Sequence, residues 1–169
     1  MSPITRTWVA FAAVGTGLIH VALVLGSPLP LGIALAVLGL AEFFWGVLTF
    51  ARDAPPAPRI ALAVAVVPLV ALGLFTVVAV AGGFTIPSGF LLPLGLATLL
   101  EVAAAALLGR ALRTSGPAPA PGVGRYLIAL FAGAVVVGAI TTPALAATTA
   151  GANAVPHGEF HFEQTDHGH

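Results

Sequence analysis

The sequence predicts an all-α integral membrane bundle of five transmembrane helices, and three observations predict it. Hydrophobic residues make up 59% of the 169 and charged residues only 7%, against roughly 45–50% and about 25% in a soluble domain. Five continuous apolar runs are each long enough to cross about 30 Å of hydrocarbon, which takes about 20 helical residues. The six basic residues are all arginines, and they fall only at the N-terminus and in alternate connections. A chain this apolar cannot cover its own surface in water, so soluble, disordered and nucleic-acid-binding classes are excluded. With no cysteine, neither a disulfide framework nor a thiolate metal site is possible.

The first apolar run covers residues 8–25 and follows Arg6; the short Gly26–Pro30 connection makes the second run, 31–50, its antiparallel neighbour. Arg52 and Arg59 bracket a proline-rich loop before the third run, 60–81. A loop without basic residues precedes the fourth, 90–112, and the Pro- and Ala-rich stretch Thr114–Gly124 precedes the fifth, 126–147. Continuous apolarity selects helices, because a barrel strand is about ten residues long and alternates. Five spans place every arginine on one side, which the positive-inside rule assigns to the cytoplasm. The predicted organisation is a transmembrane domain over 1–147, with its N-terminus inside, and an extracytoplasmic tail over 148–169.

The run after Arg125 ends in Thr142-Pro143-Ala144-Leu145-Ala146-Ala147. It reads as a last transmembrane helix closing on small residues, or as an internal signal-like segment cleaved after Ala146. A weak repeat links Leu29-Pro30-Leu31-Gly32 with Leu92-Pro93-Leu94-Gly95, each followed by one glutamate in its helix.

Ionisable groups within a membrane are costly, at least about 2.5–3.5 kcal/mol each, and mark functional sites by default. His20, Glu42 and Glu101 are the three here. Both glutamates lie near the midplane, and the first hairpin permits a His20–Glu42 contact without dictating one. Three readings follow: a polar network that fixes helix packing, a metal or haem site, and a proton or ion pathway. Gly15, Gly17, Gly39, Gly46, Gly133 and Gly138 supply small surfaces for close packing. Thr141, Thr142, Thr148 and Thr149 read as interfacial hydroxyls.

The tail holds four of the five histidines, His157, His161, His167 and His169, interleaved with Glu159, Glu163 and Asp166. Neutral imidazole suits Zn and Cu(II), and short His-rich tracts read as metal-binding. With Met1 as the sole methionine, soft Cu(I) is disfavoured. Binding requires neutral imidazoles, so affinity is expected to fall as pH drops through about 6.5. No phosphate loop, HExxH or Gly-x-Ser-x-Gly is present, and the chain is not expected to be an enzyme. The expected function is binding or handling of a divalent transition metal, zinc or copper, through the outer tail. The alternative is an accessory or assembly subunit of a larger membrane complex. Expected partners are the lipid bilayer and a membrane-protein partner or further copies of the chain.

The stretches Gly17-Leu18-Ile19-His20 and Gly39-Leu40-Ala41-Glu42-Phe43-Phe44-Trp45-Gly46, with the ending Ala154-Val155-Pro156-His157-Gly158, resemble small uncharacterised polytopic membrane proteins of high-GC bacteria. The lysine-free, Ala-rich composition agrees. The resemblance covers the first hairpin and the last thirty or so residues, and it implies a bacterial inner-membrane address but no activity.

Overall fold

A serine and a proline start the first helix. Ser2 caps it, its hydroxyl accepting from the Thr5 amide at 3.1 Å, and Pro3 occupies the first turn, where its missing N–H costs nothing. The structure, a computed structural model, describes residues 1–52, 54–83, 88–114 and 120–154. Within them all regular structure is helical: α1 (Pro3–Leu23), α2 (Leu29–Ala51), α3 (Pro58–Ala81), α4 (Ser88–Arg113), α5 (Val123–Ala146) and the one-turn α6 (Thr149–Ala152). Five of these, α1 to α5, are long and apolar enough to cross a membrane.

Each long helix begins two to five residues before its apolar run, because hydropathy does not register caps. Pro28 precedes α2 and Pro30 sits in its first turn, so prolines that punctuate the sequence here start a helix rather than separate two. A 3₁₀ turn, Val24–Gly26, ends the first helix, and Ser27 Oγ donates to the Leu23 carbonyl at 2.7 Å.

The central helix is α1, which packs against α2, α4 and α5. Its fully buried Val9, Ala10 and Ile19 face inward. The closest approach is to α2. A Cβ on Gly17 would lie 2.6 Å from the Gly39 carbonyl oxygen, and one on Gly39 would lie 2.7 Å from that of Gly17. Backbone therefore meets backbone, as only small residues allow. Gly138, by contrast, faces open space and is not a packing surface. The hydroxyls read as interfacial divide: Thr141 and Thr148 are buried while Thr142 and Thr149 are exposed. Thr148 caps α6, donating to the Leu145 carbonyl and accepting from the Gly151 amide. That turn folds back over α1 at the end away from the arginines.

The arginine-bearing end is marked by contacts between its elements. Thr7 Oγ1 donates to the Pro3 carbonyl at 3.0 Å and lies 3.3 Å from the Tyr126 hydroxyl. Trp45 Nε1 donates to the Pro56 carbonyl at 2.7 Å, tying α2 to the turn before α3. Trp45→Phe removes that donor and is expected to cost about 1 kcal/mol, read as a lowered thermal midpoint in micelles. The helix α3 packs along α4 and turns Val67, Val70, Leu74 and Val77 outward. Between α3 and the α1–α2 hairpin a space is left, and that space borders the functional groups.

Candidate intramembrane cation site

Glu42 is the fourteenth residue of α2 and Glu101 the fourteenth of α4, which sets both carboxylates at mid-helix. His20 comes from the last turn of α1. Two features of the chain bring them together. The glycine contact draws α1 onto α2 at Gly17 and Gly39, one turn or less from His20 and Glu42. On α4, Ala97, Glu101, Ala104 and Leu108 follow one helical face and are all buried. The alanines on either side of Glu101 let its backbone come close to α1.

The geometry is specific. His20 Nδ1 lies 2.8 Å from Glu42 Oε2, a hydrogen bond, while His20 Nε2 lies 3.7 Å from Glu101 Oε1. Their exposures are 4%, 8% and 4% for His20, Glu42 and Glu101, so none is solvated by bulk water. One ligand atom from each falls within 4.8 Å of the others. A carboxylate can only accept, so an ionised Glu42 places the imidazole proton on Nδ1. Nε2 then presents its lone pair to Glu101. Glu101 Oε1 has no hydrogen-bond partner among the described residues. Two acceptors facing one another in a buried space are satisfied by a proton on either group or by a cation held between them.

Thr16, one helical turn before His20 on α1, is 2% exposed, and its Oγ1 likewise lacks a partner among the described residues. Together with Glu42 and Glu101 it borders a cavity of about 220 Å³ between α1, α2, α3 and α4. The i, i+4 relation of Thr16 to His20 was the signal for it in the sequence, and the sequence reading passed over it. The three intramembrane residues expected from the sequence thus meet at one place, on three different helices. The residues expected from the sequence to bind metal in the tail, His157, Glu159, His161, Glu163, Asp166, His167 and His169, lie outside the described residues. In comparisons with protein-family models, curated proteins and solved structures, nothing matches the chain.

Proposed function

We propose that the chain is a non-enzymatic multi-pass membrane protein that binds a divalent transition metal between its helices, at His20, Glu42 and Glu101. The observation that carries this reading is the facing pair His20 Nε2 and Glu101 Oε1, 3.7 Å apart. Two tetrahedral ligands of one zinc ion, each at about 2.0–2.2 Å, lie about 3.3–3.6 Å apart, so the observed pair needs to close by only about 0.1–0.4 Å to seat the ion. Glu42 serves in either of two ways with the same bond. It holds Nδ1–H so that the ring aims Nε2 at the metal, the usual carboxylate–histidine–metal arrangement, or it turns one oxygen inward as a third ligand. Two carboxylates and a neutral imidazole carry a charge of −2, which a divalent ion neutralises, and neutrality is what a low-dielectric interior demands.

In this reading the arginines lie on the cytoplasmic side of a bacterial inner membrane, and the tail captures Zn²⁺ or Cu²⁺ on the other. The helix site and the tail are two stations for one kind of ion. The test is calorimetric titration of Zn²⁺ and Cu²⁺ into the purified full chain, and into a chain truncated after Pro156. Truncation is expected to remove one class of sites and leave the helix site. Glu101→Gln is expected to weaken that remaining site about 100-fold or more. Unchanged affinity in the glutamine variant sinks the helix site. A metal-free chain that purifies with a stoichiometric protein partner favours the accessory-subunit reading instead.

A further inference from the structure

We propose that the cavity beside the carboxylates binds a small apolar primary amine in its ammonium form, with the charged head against Thr16, Glu42 and Glu101. This goes beyond the metal reading. It uses the side of the two carboxylates that borders the cavity, whereas His20 does not line it.

The composition of the walls selects the ligand. Beyond the three polar residues, the cavity is bounded by carbon: Ala61, Val64, Ala104 and Leu108, with Trp45 at one side. Small inorganic cations are strongly hydrated, and such walls offer nothing to replace their water. A cation carried on a hydrocarbon body buries that body favourably, at roughly 25 cal/mol per Å². Trp45 spends its one donor on the Pro56 carbonyl, so its carbon surface is what remains for a cavity ligand, including cation–π attraction.

The head is selected by counting donors and acceptors. Thr16 Oγ1 is buried without a hydrogen-bond partner among the described residues, and the carboxyl groups of Glu42 and Glu101 line the same cavity, which makes three acceptor groups. A primary ammonium has three N–H donors. About 220 Å³ restricts the body to one small ring or a short branched chain, below the roughly 300–1,000 Å³ of drug-sized sites.

The test is calorimetric titration of the purified full chain with benzylammonium chloride and with benzyl alcohol, its neutral counterpart of similar size. Benzylammonium is expected to bind about ten-fold or more tighter, the difference a charge-assisted hydrogen bond makes. Thr16→Val removes an unpartnered hydroxyl, so the fold is retained while benzylammonium binding weakens about ten-fold. Ala61→Leu fills the cavity from a half-buried wall position and is expected to abolish it. Both variants are expected to keep the Zn²⁺ affinity of the parent. Equal binding of benzyl alcohol, no saturable binding of benzylammonium, or parental binding by both variants overturns the amine site. Loss of Zn²⁺ binding by Glu101→Gln is read separately, so the metal reading and the amine reading fail independently.

Discussion

Gly17→Ala is expected to destabilise the bundle by about 3 kcal/mol, at the upper end of what overpacking costs. The added methyl would sit 2.6 Å from the Gly39 carbonyl oxygen and 2.7 Å from the Phe43 amide nitrogen. Both are backbone atoms, so no side-chain rotation relieves the clash and the two helices must separate. Separation also lengthens the His20–Glu42 hydrogen bond, which lies one turn further along the same contact. Gly39→Ala is expected to behave alike, since its methyl would meet the Gly17 carbonyl at 2.7 Å. Gly138→Ala is the control: nothing lies within 4 Å of the added carbon, so it is expected to be neutral or mildly stabilising through helix propensity. Thermal unfolding followed by circular dichroism in detergent micelles decides it. A Gly17→Ala midpoint equal to that of Gly138→Ala refutes the close α1–α2 approach.

That contact shows why part of this molecule was legible in the sequence and part was not. Span number follows from hydropathy and arginine placement, because both reflect transfer of single segments between water and lipid. Helix starts were displaced because caps such as Ser2 and Pro28 act on unpaired N–H groups, which hydropathy does not register. The glycine surfaces were visible as small residues. Their partners were not, since Gly15, Gly17, Gly39 and Gly46 have neighbours but Gly138 has none, and nothing in the local sequence separates them. The His20–Glu42 pair was reachable through the short loop that joins their helices. Glu101 was not, because its position against α1 depends on how α4 packs, a long-range choice written only in the alternation of Ala97 and Ala104 around it. The burial of Thr141 and Thr148 follows from the same packing and from the α6 turn, which no apolar run announces.

His20→Ala is expected to have the largest effect of any single substitution, a loss of about 3–5 kcal/mol, because it leaves two carboxylates buried without the group between them. The loss alone does not say what the cluster is for, since a packing network and a metal site both predict it. The triple variant His20→Leu, Glu42→Leu, Glu101→Leu separates them. Replacing a buried polar cluster by apolar side chains of similar size is commonly neutral or stabilising by about 1–4 kcal/mol. The triple variant is therefore expected to unfold at or above the parental midpoint while binding neither Zn²⁺ nor benzylammonium at the helix site. A bundle that is more stable without these residues does not owe its stability to them, and that result supports the proposed cation site over a packing network. If the triple variant instead unfolds several degrees below the parent, the three side chains serve the packing of α1, α2 and α4, and the cation site loses its main physical argument.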